Sequence, residues 1–409
     1  MSSTTTDAPT GNKPLLPRMR IRELLPHLYL GDWPPGPLNS ITDVSGVLVN
    51  THEIQGDDGH VNTGVTSILP RADWFHDACY AGIFSFNGAG EMTGSHWINE
   101  TGLLNSPIVI TNTLAIGAAY QGVYEYAMKT QVPDEGDDGM DWFILPVVAE
   151  TFDGYLNDLR KFSVTPAQVV RSLEDVSSER VREGSVGGGT GMICHRFKGG
   201  TGSSSRVVPG FDAKGEPQNF TIGALVQANY GKKESFRIGG VPVGRLLAQE
   251  DAKLAELDPE EKLRQEGLVR EKERKDGSII VILATDAPLH PVQLQRLAKR
   301  ATVGLARVGG QGHNQSGDIF LAFSTANRIQ AQETSKEGRV VDPWKPTSFV
   351  ADVLNDASMN GLIAAAAEAT EEAIYNAVCM AETMIGNRGH KVEALPLDKV
   401  RDIMEKYAI

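Results

Sequence analysis

One junction constrains this chain more than any other feature. Residues 250–277 (EDAKLAELDPEEKLRQEGLVREKERKDG) are more than half charged, whereas residues 278–288 (SIIVILATDAP) are almost wholly apolar. The first stretch has no apolar face wide enough to pack well, and it predicts an exposed helical or mobile insert. The second predicts a buried strand. Gly277-Ser278 sits on the boundary, so a cut there leaves Ser278 as a new N-terminus held by a sheet. A terminal serine carries nucleophile and base in one residue. Its α-amine has an ordinary pKa of about 7.7–8, close to what a general base needs, and its hydroxyl is a weak nucleophile without such a partner. The dipeptide alone says nothing, because Gly-Ser occurs four times in the chain. A plain loop-to-strand junction is the other reading of the same texture.

The rest of the 409 residues is ordinary for a soluble globular protein, with 41% apolar and 22% charged residues. The net charge of −13 argues against a nucleic-acid or anionic-membrane binder. Cys79, Cys194 and Cys379 form no CxxC pair and read as small buried hydrophobes in a reducing compartment. The N-terminus shows no apolar signal region and no run approaches 18 apolar residues, so the expected location is the cytoplasm. Residues 1–17, rich in Ser, Thr and Pro, read as a disordered leader.

Along the chain, ITDVSGVLVNTHEI (41–54) reads as a strand, and 106–147 as strand, helix, strand around the polar turn PDEGDDGMD. Residues 164–183 predict a helix opened by Thr165 and Pro166. A glycine-rich block (184–206) encloses the strand-like MICHRF, and FTIGALVQAN (220–229) reads as another strand. After the 278–288 strand come a helix over about 290–308, a strand at 319–327, and an Ala-rich helix over 358–385 with Gly386 as its stop signal. Strands and helices mix without regular βαβ alternation, which favours layered α+β packing over a doubly wound sheet.

The common motifs of other chemistries are missing from the sequence. The chain has no GxSxG elbow, no HExxH and no GxxxxGK[ST] loop. Its nine histidines show no ligand spacing, although a Ser-His-Asp triad using His195 or His313 stays open. GGTGSSS (199–205) reads as turns, or as a turn shaping an amide-binding site, ahead of a phosphate loop, because the Walker lysine is missing.

The order and spacing of several stretches resemble one family from end to end. They are NSITDVSGV (39–47), VNTGVTSILPR (61–71), NGAGEMTG (87–94), LPVVAETFDGYLND (145–158), GSVGGGTGM (184–192), FKGGTGSSSR (197–206), VQANYG (226–231), DGSIIVILATDAPLHPVQLQRLAKR (276–300) and SGDIFLAFSTAN (316–327). MNGL (359–362) and ATEEAIYNA (369–377) continue the match, which spans about residues 20–409. The chain is identified as a member of the L-aminopeptidase/D-amidase/esterase and β-peptidyl aminopeptidase family.

The resemblance implies an αββα sandwich of the N-terminal-nucleophile type, shared with ornithine acetyltransferase. It implies one domain over 18–409, cut into 1–277 and 278–409, which stay together in a homotetramer. It implies hydrolysis of short peptides, amides or esters, with no metal or other cofactor. Residue by residue, Ser278 matches the nucleophile and Gly277-Ser278 the cleavage site. Asn229 matches the oxyanion donor. Ser316 matches a serine that orients or relays protons beside the nucleophile, and Asp318 stands where β-peptidyl members carry a longer glutamate. Glu150 matches the acid that receives the substrate amine. Phe152 stands where aminopeptidase members often have Tyr, which bears on substrate preference. The alternatives are an acyltransferase, against which the serine counts, and an uncleaved binding or scaffold member.

Overall fold

The computed structural model describes residues 16–131, 142–255, 277–335, 338 and 340–407. Residues 1–15 of the expected leader, the whole polar turn at 133–141 and residues 256–276 of the charged insert lie outside the described residues.

In chain order the strands are β1 (Leu48–Gln55), β2 (Asn62–Leu69), β3 (Asp77–Gly88), β4 (Leu103–Leu104), β5 (Ile108–Asn112), β6 (Val147–Thr151), β7 (Ile193–Cys194), β8 (Phe197–Lys198), β9 (Gly200–Phe211), β10 (Pro217–Asn229), β11 (Ser278–Thr285), β12 (Gly317–Gln330), β13 (Met384–Ile385) and β14 (Lys391–Val392). The helices are α1 (Ile21–Leu24), α2 (Ser95–Thr101), α3 (Ile116–Gln131), α4 (Pro166–Glu174), α5 (Val243–Ala255), α6 (Pro291–Ala298), α7 (Ala301–Val308), α8 (Asn360–Cys379) and α9 (Leu397–Tyr407).

Two sheets carry the molecule. The first has the order β1-β2-β5-β6 and the second β4-β3-β12-β11-β10-β9. Alternation along each strand assigns its side chains to two cores. In β11, Ile280, Ile282 and Ala284 meet Ile68, Ile110 and Ala149 of the first sheet in a core between the sheets. Ile279, Val281 and Leu283 face the other way, against α6, α7 and α8. The first sheet buries Val65, Val109 and Val148 under α3 and α4. The result is helix, sheet, sheet, helix: the αββα sandwich that was expected. Each fully buried Ile, Leu or Val in these layers contributes on the order of 1.5–3 kcal/mol.

Several local readings change. The 41–54 strand begins only at Leu48, after a 3₁₀ turn at Ile41–Asp43. MICHRF is not one strand but a tight hairpin of β7 and β8, with His195 and Arg196 both in the left-handed region (φ 50° and 68°). Neither residue is the glycine or asparagine that announces such a turn. The helix over 290–308 divides at Lys299–Arg300 into α6 and α7. The helix from Thr165 stops at Glu174, and the Ala-rich helix ends at Cys379, well before Gly386. The three cysteines are buried and free, as expected.

The glycine block exists for packing. A Cβ on Gly191 would stand 2.4 Å from the Asn62 carbonyl oxygen, and one on Gly202 would stand 2.0 Å from the Ala373 carbonyl oxygen. Residues 200–205 are a buried strand under α8, which leaves no opening for a phosphate.

Candidate active site

Ser278 is the first residue of β11, and the ladder places it opposite Asn229, the last residue of β10. Its side chain continues the alternation of Ile280, Ile282 and Ala284, so it faces the gap between the sheets. Gly277 crosses close to β10. A Cβ there would lie 1.9 Å from the Asn229 carbonyl oxygen and 2.7 Å from the Tyr230 Cα, so only glycine brings the chain to Ser278 along this path.

The Gly317 N–H donates to Ser278 Oγ at 3.0 Å. A backbone N–H aimed at that oxygen favours negative charge there, which is what an attacking hydroxyl develops. Ser316 and Asp318 flank Gly317 at the start of β12, which runs parallel to β11. Ser316 Oγ donates to Asp318 Oδ2, and the Ile279 N–H donates to Asp318 Oδ1 at 3.2 Å. Asp318 thus lies one peptide from the Ser278 amide nitrogen. The shorter carboxylate reaches its partners without difficulty. Asn87, at the end of β3, donates Nδ2 to Ser316 Oγ at 3.2 Å and to Asp318 Oδ2 at 3.3 Å. Burial pushes the Asp318 carboxyl up, and the donors from Ser316, Asn87 and Ile279 oppose it.

Asn229 is 7% exposed. Its Oδ1 accepts the Ile193 N–H at 2.9 Å, and its Nδ2 donates to the Phe152 carbonyl at 2.9 Å. An amide NH2 has two protons, so one N–H remains for another acceptor. Phe152 meets the site through that main-chain carbonyl, while its ring packs toward Gly154.

Across the gap, Glu150 sits on β6 and is 4% exposed. The Glu91 N–H donates to Oε1 at 3.1 Å, and Thr113 Oγ1 donates to Oε2. A Cβ on Gly90 would stand 3.0 Å from Gly317 Cα and 3.4 Å from Glu150 Oε1, which puts the carboxylate on the Ser278 side of the gap. Burial pushes its pKa up, and the two donors pull against it. On the other face of the second sheet, Tyr230, Gly277, His313, Ser316 and Asp318 line part of a cavity.

The structure therefore gathers Gly277, Ser278, Asn229, Ser316, Asp318 and Glu150, and brings Phe152 in by its backbone. His313 supplies its carbonyl to Asn87. His195 is buried behind Tyr230 and Phe236, with Nδ1 2.9 Å from the Lys232 carbonyl. Asn87, Thr113 and the N–H groups of Gly317 and Ile193 were not singled out in the sequence. Asn87 lies in the matching stretch NGAGEMTG but has no signal of its own, and backbone donors never do.

A serine at a strand start between two sheets, with helices outside both, is the arrangement of the N-terminal-nucleophile hydrolase fold. Comparison with known proteins makes this specific. The model of peptidase family S58 matches residues 39–392. A β-peptidyl aminopeptidase, BapA of Sphingosinicella microcystinivorans, is 42% identical over 382 residues, covering 91% of this chain and 89% of the relative. A Burkholderia β-aminopeptidase structure superposes with a TM-score of 0.79 at 40% identity, covering 96% of this chain and 99% of that one. The L-aminopeptidase D-Ala-esterase/amidase of Ochrobactrum anthropi, described as a variant of the Ntn hydrolase fold, gives 0.77 at 40% identity, covering 95% and 98%. The chain belongs to peptidase family S58 and is a hydrolase. Among the described residues, no helix is long and apolar enough to cross a membrane.

Proposed function

We propose that this chain is a self-cleaving serine aminopeptidase that releases N-terminal residues from short peptides, amino-acid amides or esters. The carrying observation is the register that sets Ser278 opposite Asn229, with a backbone N–H on its Oγ and Glu150 across the gap. In the precursor, Ser278 Oγ attacks the Gly277 carbonyl. The peptide nitrogen leaves as the Ser278 α-amine, and water hydrolyses the resulting ester. In the mature enzyme the α-amine takes the Oγ proton as Oγ attacks the substrate carbonyl. The remaining Asn229 N–H and a backbone N–H hold the oxyanion. The amine then protonates the leaving group, and water clears the acyl-enzyme.

Ser316 and Asp318 act on the amine end of Ser278, since Asp318 is anchored by the next peptide N–H. Glu150 receives the substrate's ammonium, and the 151–153 backbone at Phe152 shapes the adjoining wall. The halves, 1–277 and 278–409, stay together because the β11–β12 pair lies between β10 and β3 of the larger one. The cytoplasm and a homotetramer are the expected setting, from the composition and the resemblance respectively.

Intact mass and N-terminal sequencing test this reading. Dividing 44.2 kDa in the ratio 277 to 132 residues gives fragments of about 30 and 14 kDa. The smaller should begin Ser-Ile-Ile-Val. A chain that stays whole after long incubation, or is cut elsewhere, overturns it.

A further inference from the structure

The mechanism uses Asn229 but leaves open what fixes it. Its two anchors are the Ile193 N–H, at the start of the two-residue strand β7, and the Phe152 carbonyl, just past the end of β6, and a loose loop at either would let the amide turn. A buried lysine stands directly behind them. Lys198 is 0% exposed, and its ammonium donates to the carbonyls of Met192 at 2.9 Å, Gly199 at 2.8 Å and Gly189 at 3.3 Å. Three donors meet three acceptors, so the group is fully satisfied. Those carbonyls lie on both sides of the 193–197 hairpin and close it into a ring, which the Gly199 N–H tightens by donating to the Met192 carbonyl at 2.9 Å. Met192 immediately precedes Ile193, the donor to Asn229.

The second anchor is followed by a buried carboxyl. Asp153 comes after Phe152 and is 1% exposed, burial pushes its carboxyl up to about 7, and its ionised form favours the charged form of Lys198. Asn157 Nδ2 donates to Asp153 Oδ1 at 3.1 Å, and the Leu156 N–H donates to the Asp153 carbonyl at 3.1 Å. Burial pulls the Lys198 ammonium down to about 7, with Asp153 and Cys194 opposing. Lysine is almost never fully buried without a partner, and a methionine would fill the same volume without the desolvation cost.

We propose that Lys198 is a positioning residue that, through the ring of Gly189, Met192 and Gly199 carbonyls, holds the Asn229 amide with one N–H turned to the oxyanion. This rests on Asn229 serving as the oxyanion donor. The test is a double-mutant cycle with Asn229→Ala and Lys198→Met, read both as the rate at which the fragment beginning at Ser278 appears and as kcat and KM on an amino-acid p-nitroanilide. Lys198→Met is expected to lower both rates by about tenfold or more, a part of the roughly 10²–10³ that a lost oxyanion donor costs, with KM within about twofold. In the Asn229→Ala background the same change should have no further effect. Lys198→Gln, which keeps a donor for the carbonyls, serves if the methionine variant does not fold, and it should keep more activity. Equal losses in both backgrounds, or a change confined to KM, overturn the positioning role while leaving Asn229 intact. An Asn229→Ala enzyme with undiminished kcat overturns the oxyanion reading itself, and the proposal with it.

Discussion

Two of the clusters of buried polar groups among the described residues are built on opposite rules. Under α8, Arg206 is fully buried with its Nε 3.3 Å from Glu368 and one terminal nitrogen 2.8 Å from Glu372. The Ser205 and Leu30 carbonyls take further N–H groups, and Asn39 Nδ2 donates to Glu372 at 2.6 Å. Burial alone would raise the Glu372 carboxyl, yet Arg206 and Arg22 outweigh it and leave the pKa lowered. In the cluster around Ser278, Glu150 is held by N–H and O–H donors and not by an arginine, so burial prevails and its carboxyl stays raised. Asn229 keeps a proton in hand. The first cluster is closed in charge and hydrogen bonds, as a structural one must be. The second has directed capacity left over, as a site must have.

Substitutions can break that contrast. The largest effect belongs to Ser278→Ala, which should abolish both self-cleavage and amide hydrolysis, a loss of at least about 10³-fold, with the fold intact by circular dichroism. A Ser278→Ala protein that still hydrolyses amino-acid amides would sink the assignment of the nucleophile. Next comes Arg206→Met, which takes the buried cation from Glu368 and leaves Glu372 with Arg22 as its cation. It should cost about 3–5 kcal/mol in chemical denaturation, while the kcat of the protein that remains folded is unchanged. If Arg206→Met lowers kcat without lowering stability, the two clusters are not separate in role.

The same contrast explains what was legible in the sequence. The buried elements were, because the unbroken apolar run at 278–285, the strand-like 220–229 and the helical spacing around Leu294, Leu297 and Leu305 mark them, while their stacking as αββα was legible only through the resemblance. The serine, the asparagine and the carboxylates were legible only through the order of motifs shared with a family, since Gly-Ser or VQAN alone carries no physical signal. Their meeting is non-local: Glu150 and Ser278 come from different sheets, and nothing in either neighbourhood encodes the gap between them. The His195–Arg196 turn could not be read, because the ladder around it imposes a left-handed backbone that neither residue prefers. Lys198 carries no signal of its own in the sequence, yet it is wholly buried.

Within the Ser278 cluster, two smaller predictions separate transition-state contacts from ground-state ones. Asn229→Ala should lower kcat by about 10²–10³ with little change in KM, because the oxyanion exists only on the way through the reaction. Glu150→Gln should do the reverse. The substrate ammonium is paired before and during attack alike, so KM should rise by about ten- to a hundredfold, the roughly 1.5–3 kcal/mol of a hydrogen bond to a charged group, and kcat should hold. The sign of the pH effect follows from the raised Glu150 carboxyl. Protonation removes the negative charge that binds the ammonium, so KM of the wild-type enzyme should climb as pH falls through a value above the ordinary glutamate range of about 4.3. Glu150→Gln has no such group to protonate and should lose that limb, leaving only the fall in kcat as the Ser278 amine takes up its proton. An acid limb in KM that survives in Glu150→Gln assigns the ammonium to another carboxylate and breaks the division between the two faces of the gap.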